Sequence, residues 1–276
     1  MKAEDAKKIA DNALEQLAAS LKAGKSEQLT RYLAAMGRFH RYSFGNILLI
    51  ACQRPDASHV AGFTTWKSFN RFVKKGEKGI VILAPMSIKP KDEQPESREQ
   101  PAEQAKKPIL RFRAVHVFDI AQTDGDPLPE HAAVSGDPAQ HLDRLKAHTA
   151  ELGIELAYEQ MTGGTYGMSQ GKRIVIREGL PAAEEFAVLA HELAHELLHR
   201  GEDRPESKTV RETEAEAVAF VVCQAVGLNT GTTASDYIQL YRGNSETLAA
   251  SLERIQRTAA GIIAAVCHQR QPAIAV

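Results

Sequence analysis

A chain of 276 residues with 43% hydrophobic and 25% charged residues has the length and the apolar content for one large or two modest folded domains. No run approaches the roughly 20 apolar residues that span a bilayer, and the acidic, discontinuous N-terminus is not a signal peptide. Cys52, Cys223 and Cys267 are odd in number, widely spaced and without a CxxC, which argues against a disulfide framework and makes a reducing cytoplasm the expected compartment.

Residues 3–22 place Ile9, Leu14, Leu17, Ala18 and Leu21 near helical spacing, which predicts an amphipathic opening helix. A second helix is expected over 27–37, and the apolar run 46–52 reads as helix or buried strand. The β-branched run 79–85, ended by proline, reads as a strand, and the alternating 110–118 reads as a partner for it. Between them, 87–108 is rich in Pro, Glu, Gln and Lys without apolar periodicity, an expected flexible excursion. Gly and Pro cluster over 122–138, which places the boundary between a domain at 1–130 and another at 138–276. In the second half a helix is expected at 139–152 and strands at 153–158 and 172–177. A helix with Pro181 at its first position then runs to about His199, and further helices cover 209–226 and 245–268. Strands followed by helices make the fold class α+β.

Charge divides along the same line. Residues 1–125 carry 21 Lys and Arg against 14 Asp and Glu, and residues 126–276 carry 13 against 21, so the halves suit different partners. The basic character concentrates in 31–80, where nine Lys or Arg meet two acids, Asp56 and Glu77, and where eight of the sixteen Phe, Trp and Tyr lie. Cations for phosphates beside rings for bases are what single-stranded nucleic acid requires. The same composition also describes a core lined by Phe39, Phe44, Phe63 and Phe72 under a solvated lysine face.

Residues 191–199 read His-Glu-Leu-Ala-His-Glu-Leu-Leu-His, two overlapping copies of HExxH on an apolar helix. Histidines four apart share a helix face and can grip one metal, with the intervening glutamate as base toward water. By spacing alone, either His191 and His195 with Glu192, or His195 and His199 with Glu196, qualify. A catalytic zinc site also needs a third protein ligand and an open position. The candidates are Glu212, Glu214 and Glu216. Glu212 and Glu216 are one turn apart on one face, the arrangement of a ligand and a carboxylate that steers a ligand histidine, whereas Glu214 lies off that face.

Strand, turn, strand, AVLAHELAHELLH and the downstream glutamate helix resemble the zincin-type domains of the ImmA/IrrE group and of ArdC-type antirestriction proteins. Four N-terminal segments resemble the single-stranded-DNA-binding domain of the ArdC type: Tyr42 to Ile50, Val60 to Trp66, Val73 to Ile80, and Phe118 to Gly125. The resemblance implies a zincin-like second domain with Zn2+ held by His191, His195 and Glu212. It also implies Glu192 as catalytic base, Glu216 as the residue supporting a ligand, and His199 as a cap at the helix end. Tyr166, Tyr237 and Tyr241 qualify by type as oxyanion stabilisers, and each also as a structural residue. For DNA it implies Trp66, Lys67, Arg71, Lys74, Lys75 and Lys78 as phosphate and stacking candidates, with Arg41 behind them. The function implied is antirestriction on a mobile element, with single-stranded DNA and a protein substrate as partners. The alternative is a DNA-coating protein whose zinc site is structural.

Overall fold

The structure is a computed structural model that describes residues 2–25, 27–88, 109–127, 138–161, 165–202, 204–228 and 245–267. Apart from its first two residues, the 87–108 excursion lies outside these, as do Tyr237 and Tyr241.

The first half opens with three helices, α1 (Ala3–Lys22), α2 (Glu27–Arg38) and α3 (Phe44–Gln53). The run at 46–52 is therefore helix: four consecutive buried residues, Ile47 to Ile50, sit where α3 is enclosed by its neighbours. Small strands follow: β1 (Val60–Gly62), the short helix α4 (Phe63–Ser68), β2 (Arg71–Val73), β3 (Ile80–Ile88), β4 (Ile109–Asp119) and β5 (Thr123–Gly125). The expected pairing of 79–84 with the alternating strand is present: β3 runs antiparallel to β4, and β1 lies on the other side of β4. An open edge of β3 would expose backbone groups, and α3 closes it with two side-chain amides. Asn46 accepts from Leu83 N–H and donates to Leu83 O, and Gln53 does the same at Val81.

The second half contains α5 (Pro138–Glu151), β6 (Glu155–Glu159), β7 (Gly167–Ser169), β8 (Arg173–Arg177), α6 (Ala182–Leu198), α7 (Lys208–Ala225) and α8 (Ser245–Val266). β8 is central, parallel to β6 and antiparallel to the outer strand β7. Pro181 is the residue before α6 rather than its first helical residue, a one-residue difference consistent with its fixed φ. The protein is thus α+β. No helix among the described residues is long and apolar enough to cross a membrane.

One hydrophobic core runs through both halves, from Leu17 of α1 to Val266 of α8. α7 is its axis: Ala215, Ala217, Val218 and Val221 to Cys223 leave it buried nearly all round. α2 reaches it through Gly37, where a Cβ would stand 3.0 Å from Val221 O and 3.4 Å from Ala225 N. Gln256 of α8 donates to His40 O and Tyr42 O of the first half. The basic half is therefore packed against the helix that carries Glu212 and Glu216.

Candidate metal centre and nucleic-acid face

α6 buries Phe186, Leu189, Ala190, Leu193 and Ala194 along one stripe, which fixes the helix rotation and turns His191 and His195 toward α7. α7 starts at Ser207, whose hydroxyl accepts from Val210 N–H, and its first turns present Glu212 to both histidines. His191 Nε2 and His195 Nε2 are 3.1 Å apart, and Glu212 Oε2 is 3.6 Å and 3.4 Å from them. A tetrahedral ion with bonds of about 2.0–2.1 Å has donor–donor edges of about 3.3 Å. The three atoms therefore fit a small divalent ion, and among the described residues they are the cluster with this geometry. Burial, and after it the neighbouring His191, push the His195 pKa down to about 4, which favours the neutral imidazole, the form able to bind a metal. Glu216 Oε2 lies 3.4 Å from His191 Nδ1, the place of a carboxylate that orients a ligand.

The second HExxH copy is engaged elsewhere. Glu196 accepts from Ser169 Oγ at 2.5 Å, from the Gly171 and Lys172 N–H groups, and from Arg200. It holds the β7–β8 turn onto α6. His199 stands at the helix C-cap position as expected, but its ring is buried and turned inward between His195 and Glu214. Glu214 was set aside in the sequence for lying off the Glu212–Glu216 face. It is fully buried, bonded to His199, Ser251 and Arg254. An acid amid Ala215, Ala217 and Val218 was a signal, since a buried carboxylate needs partners. Two of those partners, Ser251 and Arg254, lie on α8, 37 and 40 residues downstream.

Glu192 is buried beside the donors and accepts a backbone hydrogen bond from Ser169; burial raises its pKa. Gly167 makes this approach possible: a Cβ there would fall 2.7–2.9 Å from Val188 Cγ1 and from Glu192 Cγ and Oε1. A cavity of ≈ 340 Å³ opens here, lined by Tyr166, Gly167, Val188, His191, Glu192 and Phe220 among others. Tyr166 is on its rim, exposed, with the Arg177 guanidinium 5.5 Å over its ring.

In the basic half the structure sorts the residues named from sequence. Trp66 is 2% exposed and donates its indole N–H to Phe118 O at 2.8 Å. It is a core residue and offers no face to a base. Arg71 spends its guanidinium on Thr123 Oγ1, Thr123 O, Gly125 O and Asp126 O, pinning β2 to β5 rather than facing a phosphate. Lys74 is half engaged, with Ala121 O at 3.1 Å and Asp124 at 3.5 Å. Arg41, Lys67, Lys75 and Lys78 are exposed. Two rings treated as alternative core, Phe63 and Phe72, are instead 54% and 52% exposed. Phe72 lies in β2 between Arg71 and Val73, so strand alternation turns it to the opposite side from Arg71.

A zincin-like domain is the class that this helix pair and mixed sheet define, and residues 149–251 match the IrrE N-terminal-like domain. Residues 5–118 match the N-terminal domain of anti-restriction factor ArdC. The two domains in this order make the chain a two-domain protein of the ArdC type. It resembles the metal-free crystal structure of antirestriction ArdC protein from plasmid R388 at TM-score 0.55 and 20% identity, over 94% of this chain and 97% of that one. The Mn(II)-bound structure of the same protein is similar at TM-score 0.53 and 19% identity, over 95% and 99%. An uncharacterized protein of Bacillus anthracis, pXO2-81, is 25% identical over 306 aligned positions covering 94% of this chain. The chain spans about half the length of that curated relative, 51% of it.

Proposed function

We propose that this protein is an antirestriction factor of a mobile element. In this reading its basic half holds single-stranded DNA while its second half hydrolyses a peptide bond in a nearby protein at a zinc centre. The convergence of His191, His195 and Glu212 beside Glu192 and a cavity carries the reading. A bound divalent ion would supply Lewis-acid activation of water there. Glu192 takes the proton of the attacking water as oxygen adds to the carbonyl carbon, and returns it to the amine nitrogen as the C–N bond breaks. Its raised pKa suits a group that must both accept and release a proton near neutrality. β7 is the outer strand of its sheet, and Tyr166 O and Gln170 N already pair with β8. The backbone of Gly167 and the carbonyl of Ser169 therefore face outward, where an extended substrate can add as a further strand beside Glu192.

On the DNA side, Phe63 and Phe72 replace Trp66 as stacking candidates, with Lys67, Lys75, Lys78 and Arg41 for phosphates. The free thiols of Cys52, Cys223 and Cys267 fit a reducing cytoplasm. The test compares cleaved proteins in cells carrying wild type or Glu192→Gln, with and without single-stranded DNA entering. Loss of general-base catalysis lowers turnover by about 10²–10⁴, so the products should vanish with Glu192→Gln. If DNA protection persists unchanged in that variant and no product depends on Glu192, the protein acts by coating DNA.

A further inference from the structure

Behind the metal-facing side of His195 runs a chain of hydrogen bonds that ends on α8. His195 Nδ1 is 2.9 Å from His199 Nδ1, His199 Nε2 is 3.0 Å from Glu214 Oε2, and Glu214 Oε1 takes Ser251 Oγ at 2.7 Å and the Arg254 guanidinium. We infer that His199 and Glu214 are positioning residues that decide which nitrogen of His195 is presented to the metal. The inference rests on the reading of His191, His195 and Glu212 as metal ligands.

Proton placement follows from the far end inward. Arg254 has only donors to give, so Glu214 faces it as a carboxylate and has acceptors only. His199 Nε2 must then be the donor in its bond to Glu214. In a neutral imidazole that leaves a lone pair on Nδ1. Two nitrogens at 2.9 Å need one proton between them, so His195 carries it on Nδ1. The lone pair of His195 is thereby fixed on Nε2, the atom 3.1 Å from His191 Nε2 and 3.4 Å from Glu212 Oε2. Both relay residues are buried, Glu214 with no exposed surface and His199 at 4%, so water cannot stand in for either. α8, which contributes no metal ligand, becomes part of the site through Ser251 and Arg254.

The relay makes an isosteric change informative. In Glu214→Gln the amide oxygen stays on Arg254 and Ser251, which turns the NH2 toward His199. His199 must then accept at Nε2 and carry its proton on Nδ1, against the proton of His195. His195 can relieve this only by moving its proton to Nε2, where it blocks the metal.

The experiment measures Zn2+ and Mn2+ affinity of the full chain by competition with a chromogenic chelator, with melting of the metal-free proteins recorded beside it. Glu214→Gln and His199→Phe are expected to weaken binding by about 10–100-fold. His199→Asn should stay within a few-fold of wild type, because its Oδ1 takes the place of Nδ1 as acceptor. In the zinc-loaded wild type, ¹⁵N–¹H spectra of the histidines should show protons on His195 Nδ1 and His199 Nε2. That assignment decides the matter even if a variant fails to fold, and a proton on His195 Nε2 overturns the relay. A wild type that binds neither ion overturns the metal reading and the relay together. Binding lost in Glu212→Ala but kept within threefold in Glu214→Gln and His199→Phe overturns the relay alone.

Discussion

The candidate metal centre and the basic half use the same kinds of residue to opposite ends. At the centre, the exposed Glu212 apart, ionisable side chains are held by neighbours: His195 by His199, His199 by Glu214, Glu192 by Ser169, Glu196 by the β7–β8 turn. In the basic half the side chains with fixed partners, Trp66, Arg71, Asn46 and Gln122, are those that build the scaffold. The residues left for a ligand are the exposed Phe63, Phe72, Lys75 and Lys78. Catalytic geometry requires pre-paired groups, whereas a tolerant nucleic-acid surface requires groups that can move to meet phosphates and bases. A fixed partner therefore points toward function in one half and away from it in the other.

The largest effect expected from this contrast is at Trp66. Trp66→Ala should lower stability by about 3–5 kcal/mol, as for other buried aromatic truncations, read by denaturant melts. A variant that keeps wild-type stability but loses DNA affinity would break the contrast, because Trp66 would then be a contact and not core.

How far each region could be read from the sequence follows from the range of the interactions that define it. His191, Glu192 and His195 sit on one helix, and a spacing of four residues is enough to put two imidazoles together. Glu212 needed the resemblance, since spacing left three glutamates open. The relay through His199 and Glu214 escaped because its anchor on α8 lies about forty residues away. In the basic half, Trp66 and Arg71 looked like contacts because their partners, Phe118 and Thr123 to Asp126, are some fifty residues downstream. The segment from Phe118 to Gly125 that carried the resemblance is itself a structural knot. Asp119 accepts from Ser58, His59 and Ala121, and Gln122 bonds Asp119, Glu77 and Lys78. The recognisable residues thus specify the scaffold, and the proposed contact surface is carried by less distinctive ones. The long helices and the β3–β4 hairpin were legible from periodicity; the three-residue strands β1, β2, β5 and β7 were too short to show one.

Phe63 and Phe72 sharpen the comparison next. Each alanine variant should hold its melting temperature, as exposed substitutions do, while weakening single-stranded DNA by about 1–3 kcal/mol per stacked base. Fluorescence anisotropy with an oligothymidine probe reads this directly. Unchanged affinity in both variants would remove the stacking assignment.

On the other side, Glu196→Gln tests whether the second HExxH copy is structural. Burial alone would raise the Glu196 pKa, but hydrogen bonds from Ser169, Lys172, Arg200 and Gly171 outweigh it and hold the carboxyl below its ordinary value. A folded-state pKa below the unfolded one contributes stability above the ordinary carboxylate pKa of about 4.3, and that contribution is lost as pH falls through the folded value. Glu196→Gln should therefore melt below wild type at pH 7, by roughly 1–3 kcal/mol for a buried bond to a charged group. The gap should close as the medium is acidified below about pH 4. A constant gap at all pH values would assign the loss to packing instead.

The smallest effect discriminates between phosphate contacts and scaffold cations. Each phosphate neutralised on a single strand contributes a slope of about −0.7 to log affinity against log salt concentration. Lys75→Ala and Lys78→Ala should each make the slope shallower by about that amount with little change in stability. Arg71→Ala should do the reverse, lowering the melting temperature because β2 loses its hold on β5, while the slope measured well below that temperature stays as in wild type. The two kinds of residue carry the same charge and lie within seven positions of each other. Their separation by salt slope would show that hydrogen-bond engagement, and not charge or sequence position, decides which cations of this half meet DNA. If Arg71→Ala instead flattens the slope as much as the lysine variants, its guanidinium exchanges the Thr123 and Gly125 carbonyls for phosphate on binding, and the scaffold itself rearranges to admit the strand.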